Sequence, residues 1–94
     1  MTKVRAAITA VGGYVPEFRL TNKVLETIVD TNDEWITSRT GIKERRLLKP
    51  EEGKGTSYLA IKAVENMVEK YGIDTSDIEM VIVATATPDM PVAA

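Results

Sequence analysis

Two mostly apolar stretches, one near each end of the sequence, predict buried strands. Residues 4–11 tolerate extended backbone and are largely apolar on both faces, and the Gly12-Gly13 pair ends the run. Residues 78–85 contain a nearly continuous apolar run, which is typical of a strand covered on both faces in a parallel α/β sheet. We therefore predict two parallel strands in these positions.

Two short helices are predicted between the first strand and the middle of the chain. Apolar residues recur at helical spacing over residues 22–29, after a favourable N-cap at Thr21. A capping-box spacing then places Thr31 at the N-cap and Glu34 at the third helical position of a second helix, which ends at Gly41. Residues 41–48 are compatible with an edge strand or an extended connection.

One long amphipathic helix is predicted in the second half. An apolar stripe runs from about residue 56 to Tyr71 opposite a charged face, and Gly72 is suited to end the helix. A strand, a helical insert, a long crossover helix and a second strand form the opening of a right-handed βαβ unit. Two such strands cannot cover their own faces and edges, so we expect an α/β protein of which this chain is the amino-terminal piece.

Composition excludes several classes of function. The chain has 94 residues, of which 44% are hydrophobic and 28% charged, as in an average globular domain, so one compact core is the most that we expect. A net charge of -2 argues against a nucleic-acid partner. The sequence has neither a membrane-length apolar run nor a signal-peptide pattern, so we expect a cytoplasmic protein with no membrane partner.

The chain contains no cysteine and no histidine. It therefore lacks a thiolate nucleophile, the commonest general base and the usual zinc ligands. We expect no catalytic residue and no metal site in this chain.

The residues with the clearest binding chemistry lie between positions 30 and 46. Trp35, the only tryptophan, precedes Arg39 by four positions, so the two side chains share one face of a helix. An indole can stack on a heteroaromatic base and a guanidinium can donate to phosphate, so the pair suits a nucleotide. The alternative is that Trp35 is a core residue. In that case Arg39 pairs with one of three acids, Asp33, Glu34 and Glu44.

Five of the twelve cations lie within eleven residues, and this group is called the basic cluster below. Its members are Arg39, Lys43, Arg45, Arg46 and Lys49. We expect coenzyme phosphates or an acidic carrier protein to collect there, unless the cluster is a solvated surface without a partner.

A second candidate segment, residues 85–89, follows the second predicted strand. Open α/β sheets place ligands beyond the carboxyl ends of their strands, which makes Asp89 a candidate binding residue. An ordinary turn or cap role for Asp89 is the alternative.

Several motifs, taken in order, resemble one enzyme family. The most specific is Asp-Thr-Asn-Asp-Glu-Trp-Ile at residues 30–36, followed by Arg-Thr-Gly-Ile-Lys-Glu-Arg at residues 39–45. Residues 13–17, 21–22 and 83–89 add shorter matches. Over nearly its whole length the sequence is similar to the β-ketoacyl-[acyl carrier protein] synthase III family.

The resemblance implies a thiolase-like fold, of which residues 1–94 would be a partial amino-terminal α/β half without a second domain, and a homodimer in the full-length protein. It implies the initiating condensation of type II fatty-acid synthesis, in which acetyl or another short acyl coenzyme A joins malonyl-acyl carrier protein with loss of carbon dioxide. Coenzyme A thioester is a substrate there, and no cofactor is implied. The family's catalytic cysteine, histidine and asparagine cannot be placed in this chain, so it is expected to be inactive alone.

The resemblance also implies a set of substrate-binding residues. Trp35 matches a tryptophan that stacks on the adenine of coenzyme A, and Arg39 and Thr40 match a pair that lies along the phosphates and pantetheine. Thr31 matches a threonine that lines the same site. Met90 lies in a loop that resembles one lining the neighbouring subunit's acyl pocket, often with an aromatic residue. A flexible thioether would reshape that pocket, so the resemblance does not determine which acyl group is the preferred primer.

Two other functions remain compatible with the residues. One is a non-catalytic module that binds coenzyme A or acyl carrier protein through Trp35 and the basic cluster. The other is a different synthase of the thiolase superfamily, such as a hydroxymethylglutaryl-coenzyme A synthase.

Overall fold

The computed structural model of the chain describes residues 3–90. These residues divide into two compact units, one of residues 15–54 and one of residues 3–14 with 55–90. We call them the α2 unit and the α3 unit after their longest helices. In chain order the elements are β1 (Phe18–Thr21), α1 (Asn22–Leu25), α2 (Asp33–Thr40), β2 (Glu44–Leu47), a 3₁₀ turn (Pro50–Glu52), α3 (Thr56–Tyr71) and a second 3₁₀ turn (Thr75–Asp77).

The sheet of the α2 unit consists of β1 and β2. The two strands are antiparallel, with Phe18 opposite Leu47 and Thr21 opposite Glu44. The edge-strand interpretation of residues 41–48 is therefore confirmed for β2. Its partner β1 was not predicted, because four residues between Pro16 and a helix cap are too few to show an alternating pattern.

Helix α1 begins where the sequence predicts and ends earlier. The backbone N–H of Val24 donates to Oγ1 of Thr21 over 3.3 Å, which confirms Thr21 as the N-cap. The helix stops at Leu25 instead of continuing to residue 29. The hydroxyl of Thr27 donates to the Val24 carbonyl over 2.6 Å, and such local bonds from Thr compete with helix propagation.

Helix α2 begins one residue later than the capping-box spacing predicts. Its N-cap is Asn32, whose Oδ1 accepts from the backbone N–H of Trp35 over 2.8 Å, so the assignment of Thr31 as N-cap is wrong. Asparagine caps helices at least as well as threonine, and either residue was available. The predicted end at Gly41 is confirmed, since Gly41 has a left-handed φ of 74° that glycine adopts without strain.

Helix α3 matches its prediction at both ends. It spans Thr56–Tyr71, and Gly72 follows in the left-handed conformation with φ 64°. Gly12 lies against this helix so closely that an added Cβ would be 2.6 Å from Cβ of Met67. Gly12 therefore permits the close approach of this segment to α3, whereas a Cβ at Gly13 would meet no atom within 4 Å. No helix within residues 3–90 is long and apolar enough to cross a membrane.

The two predicted parallel strands do not form a sheet in the described residues. Residues 4–11 and 78–85 carry no strand assignment, and no backbone hydrogen bond joins one segment to the other. Their apolar side chains are exposed, reaching 96% for Val4 and 83% for Ile82. Strands of a parallel sheet are stable only with neighbours on their edges and helices on both faces, and within residues 3–90 neither segment has a paired strand on its edges.

We expect the 94-residue chain to self-associate in solution. The exposed apolar segments 4–11 and 78–85 exceed what monomeric proteins usually leave in contact with water. Sedimentation velocity should therefore detect associated species that increase with protein concentration. A monodisperse monomer that melts cooperatively above about 60 °C, the upper end for mesophile domains, would contradict this expectation.

Candidate ligand-binding site

Helix α2 has two chemically different faces. With 3.6 residues per turn, Asp33, Ile36 and Thr37 lie on one side of the helix, and Trp35 and Arg39 lie on the other. The first side faces the rest of the unit, because Ile36 is only 8% exposed and is the only buried apolar residue of this helix. The second side is therefore available to a ligand.

The inner side of α2 is held by a polar group that centres on Asn22, which is 2% exposed. Its Nδ2 donates to Oδ1 of Asp33 over 2.7 Å and to the Ile42 carbonyl over 2.8 Å. Its Oδ1 accepts from Nη2 of Arg45 over 2.8 Å. The Thr37 hydroxyl completes the group by donating to Oδ1 of Asp33 over 3.1 Å. We call these five residues the Asn22 hub.

The Asn22 hub was not predicted from the sequence. A signal was present, because Asp33 and Thr37 are one helical turn apart on the same side as the apolar Ile36. Polar residues on the side that a helix buries require hydrogen-bond partners. The partners, Asn22 and Arg45, lie on other elements, so the pairing depends on the fold.

The hub keeps Asp33 ionised. Hydrogen bonds from Asn22 and then from Thr37 hold the pKa of Asp33 below its ordinary value, and Lys23 and Lys43 act in the same direction. Partial burial raises this pKa; its effect is smaller than that of the two hydrogen bonds and larger than that of either lysine. The carboxylate therefore remains an acceptor for the hub at all pH values above its ordinary pKa.

We expect acid to loosen α2 specifically below pH 3.8, the ordinary pKa of the Asp33 carboxyl. A carboxyl whose pKa is lower in the folded state stabilises that state above its unfolded pKa, and the stabilisation is lost as the pH falls through the folded value. Trp35 fluorescence should be constant from neutral pH down to pH 3.8 and should change below that value. An Asp33→Asn variant keeps the acceptor oxygen and should show a weaker acid transition. Identical acid transitions in both proteins would contradict this role of Asp33.

The outer side of α2 presents Trp35 and Arg39 as a pair. The guanidinium carbon of Arg39 lies 5.5 Å from the centroid of the Trp35 ring, which is within cation–π range. Trp35 is 53% exposed, and among the described residues Arg39 forms no salt bridge. The alternative interpretation, a core tryptophan with Arg39 paired to an acid, is therefore wrong.

Thr40 and Thr31 are not part of the Trp35–Arg39 pair, and each has hydrogen bonds of its own near an end of α2. Oγ1 of Thr40 donates to the Ile36 carbonyl over 2.7 Å and accepts from the N–H of Ile42 over 3.1 Å, so it closes the end of α2. Thr31 is half-buried just before the N-cap, and its N–H donates to the Val29 carbonyl over 2.9 Å. The structure thus brings Trp35 and Arg39 together and gives the Thr40 hydroxyl a role within the helix.

The basic cluster does not act as one surface. Arg45 belongs to the Asn22 hub, and Nη1 of Arg46 donates to the Pro16 carbonyl over 2.7 Å. The amine of Lys49 lies 4.8 Å from the centroid of the Phe18 ring. Arg45 and Arg46 are therefore half-buried in β2 and bonded within the unit, and the collection of anions at this cluster stays a prediction. Arg39 and Lys43 are exposed.

In the α3 unit, Asp89 acts as a helix cap. Its Oδ1 accepts from the N–H of Ser57 over 3.1 Å. Gly55, at the N-cap position of α3, has no side chain with which to make this bond. The Ser57 hydroxyl and then the Ser57 N–H hold the pKa of Asp89 below its ordinary value. The cap alternative for Asp89 is therefore confirmed.

Met90 lies at an apolar groove of the same unit. The groove has a volume of about 900 Å³ and lies between one side of α3 and the segment that ends at Met90. Its apolar lining includes Ala60, Val64, Val68, Val81, Val83 and Met90. Pro91, which continues the loop, lies outside the described residues. Among residues 3–90 no cluster of three or more Asp, Glu, His or Cys could hold a metal ion.

Comparisons with known proteins agree on one family. No family model matches the chain. The β-ketoacyl-[acyl-carrier-protein] synthase III of Azobacteroides pseudotrichonymphae is 58% identical over 91 residues, which are 97% of this chain and 27% of that protein. The enzyme of the same name from Phocaeicola vulgatus is 56% identical over 89 residues, which are 95% of this chain and 26% of that protein.

Solved structures give the same result. A crystal structure of β-ketoacyl-[acyl carrier protein] synthase III from Thermus thermophilus superimposes with a TM-score of 0.82 at 46% identity, over 94% of this chain and 27% of that one. The chain spans about a quarter of the length of the relatives that it matches. The likeness confirms the predicted α/β class and thiolase-like fold. Over about a quarter of their length, these β-ketoacyl-[acyl-carrier-protein] synthase III proteins are similar to nearly the whole of this chain.

Proposed function

We propose that this chain is part of the condensing enzyme that begins type II fatty-acid synthesis. In this reaction a short acyl coenzyme A, with acetyl coenzyme A as the expected primer, joins malonyl-acyl carrier protein and carbon dioxide leaves. The names of the relatives support an acyl-carrier-protein synthase. We place the reaction in the cytoplasm and in a homodimer of the full-length protein.

Within this enzyme we assign coenzyme A recognition to the outer side of α2. The observation that carries this assignment is the exposed Trp35 ring with the Arg39 guanidinium 5.5 Å from its centroid. The adenine of coenzyme A can stack on the exposed indole. The same guanidinium can then donate to a coenzyme phosphate.

The electrostatics of the α2 unit support an anionic ligand at this place. Asp33, the acid that begins α2, directs its carboxylate into the Asn22 hub. Arg39 and Lys43 are exposed cations of the basic cluster, and they lie in the last turn of the helix and just after it. Both charges would strengthen the binding of a polyanionic coenzyme, and the effect would be larger at low ionic strength.

Calorimetric titration with two ligands tests the assignment. Coenzyme A contains the nucleotide, whereas pantetheine contains only the thiol arm. Because Trp35 and Arg39 are assigned to the nucleotide, coenzyme A should bind the chain and pantetheine should bind much more weakly. Equal affinity for the two ligands, or no binding of coenzyme A, would contradict the proposed role of this surface.

A non-catalytic binding module remains the second candidate. It rests on the exposed Trp35–Arg39 pair, which could bind coenzyme A without any catalytic residue. Both candidates use the same surface of α2, so they differ only in whether acyl transfer follows binding.

A further inference from the structure

Helix α2 is not oriented by apolar packing. It has eight residues, and only one of them, Ile36, buries an apolar side chain. One apolar contact resists rotation of a helix about its own axis only weakly, since the hydrophobic effect has no direction. Hydrogen bonds are directional, so the bonds to α2 must determine which side of it faces outward.

Asn22 supplies bonds at both ends of this helix. Its Nδ2 reaches Asp33, the first residue of α2, over 2.7 Å, and the carbonyl of Ile42, just after the last turn, over 2.8 Å. An amide nitrogen has two hydrogens, and these two short bonds use both of them. One side chain therefore fixes the beginning and the end of the helix together.

The orientation of the Asn22 amide is in turn fixed by β2. Arg45 has only donors, so the Asn22 atom that it contacts over 2.8 Å must be Oδ1. The Asp33 carboxylate and the Ile42 carbonyl are both acceptors, which requires Nδ2 on their side. A second bond from Arg45, to the Leu20 carbonyl over 3.3 Å, ties the guanidinium to β1.

We propose that Asn22 is a positioning residue for coenzyme A binding, which acts by fixing the rotation of α2 so that Trp35 and Arg39 face outward together. This inference rests on the proposed function of that pair. Asn22 itself does not contact the ligand, because its side chain is 2% exposed and lies on the inner side of the helix.

Removal of the Asn22 side chain would take one hydrogen bond from each of its partners, the half-buried Asp33, Thr37 and Arg45 and the exposed Ile42 carbonyl. Loss of a hydrogen bond to a charged group such as Asp33 or Arg45 costs enough to shift an equilibrium by about tenfold. The helix would avoid this cost by rotating or fraying until Asp33 and the Ile42 carbonyl meet water. Trp35 and Arg39 would then lose their common orientation.

The test compares three variants with the unaltered chain. Asn22→Ala removes the hub, and Asn22→Asp places a carboxylate opposite that of Asp33 with no donor between them. The double variant Asn22→Asp with Asp33→Asn restores a donor and an acceptor in reversed order and keeps an acceptor for Arg45. Leu20→Ala in β1 is the control, since it removes half-buried apolar contacts and leaves the hub complete.

Two measurements are made on each protein where circular dichroism shows that it is folded. The first is the fluorescence anisotropy of Trp35 without ligand, compared at a protein concentration where sedimentation velocity gives all proteins the same size, and the second is the affinity for coenzyme A. Asn22→Ala should lower the anisotropy and weaken coenzyme A binding by about tenfold. Asn22→Asp should have at least the same effect, and the double variant should recover part of both signals. Leu20→Ala should leave both unchanged.

The anisotropy decides the positioning role whether or not coenzyme A binds. If the anisotropy of Asn22→Ala equals that of the unaltered chain, or if the double variant is no better than Asn22→Asp, the positioning role is wrong. If the unaltered chain does not bind coenzyme A, the proposed function is wrong, and the anisotropy still determines whether Asn22 orients α2.

Discussion

Incubation of the 94-residue chain with acetyl coenzyme A should produce no acyl-enzyme. Acylation requires an activated nucleophile, and the sequence has no cysteine to form a thiolate. Serine and threonine hydroxyls need a positioned base, and the sequence has no histidine to act as one. Addition of malonyl-acyl carrier protein should therefore yield no condensation product, even when coenzyme A binds at Trp35.

Mass spectrometry of the intact chain measures this outcome. The expected spectrum contains only the mass of the unmodified protein. A sample that is denatured before exposure to acetyl coenzyme A is the control for nonspecific acetylation of lysines. An acetyl adduct that forms on the native chain and not on the denatured chain would reveal a nucleophile. It would contradict the expectation that this chain contains no catalytic residue.

Replacement of Trp35 by alanine should weaken coenzyme A binding by about 1 to 3 kcal/mol, the scale of one base stacked on an aromatic side chain. The chain should remain folded, because the Trp35 ring is 53% exposed and is not part of the core. Arg39→Ala should also weaken binding and should reduce its dependence on salt, since a charged contact to phosphate is lost. Calorimetry of the folded variants measures both effects.

The chain contains a matched control for this pair. Tyr71 is 48% exposed at the end of α3, and the amine of Lys70 lies 5.7 Å from the centroid of its ring. Tyr71→Ala and Lys70→Ala therefore remove an aromatic ring and a cation of similar exposure from a different helix. These two variants should bind coenzyme A as the unaltered chain does. A comparable loss of affinity in all four variants would indicate an indirect effect on folding.

Features that depend on neighbours in sequence were predicted well. The long helix over Thr56–Tyr71, its glycine stop and the Thr21 cap each follow from spacing within one element. The placement of Trp35 and Arg39 on one side of α2 follows from their separation by four residues and is confirmed by the cation–π contact. Local rules determine these features without reference to the rest of the fold.

Features that depend on contacts between distant segments were not predicted. Strand β2 contains two adjacent arginines, whose charge suggests exposure. Each is half-buried because a carbonyl or amide from another segment accepts its hydrogen bonds. Asp89 caps α3 from 32 positions away, which no spacing rule within the helix can detect. The Asn22 hub also depends on contacts between distant segments, since it joins residues of α1, α2 and β2.

The unpaired state of residues 4–11 and 78–85 has a related cause. Their apolar patterns indicate strands, and the stability of such strands depends on partners that residues 3–90 do not provide. The apolar pattern therefore indicates that these two segments need neighbouring strands and helices. Residues 3–90 contain only some of those neighbours.

The most direct test of the central claim is a fluorescence titration of Trp35 with coenzyme A. Trp35 is the only tryptophan of the chain, so its emission reports on one position. Stacking of adenine on the indole should produce saturable quenching that follows the calorimetric binding curve, and pantetheine should produce none. If coenzyme A binds the chain and leaves the emission of Trp35 unchanged, the outer side of α2 is not the nucleotide site.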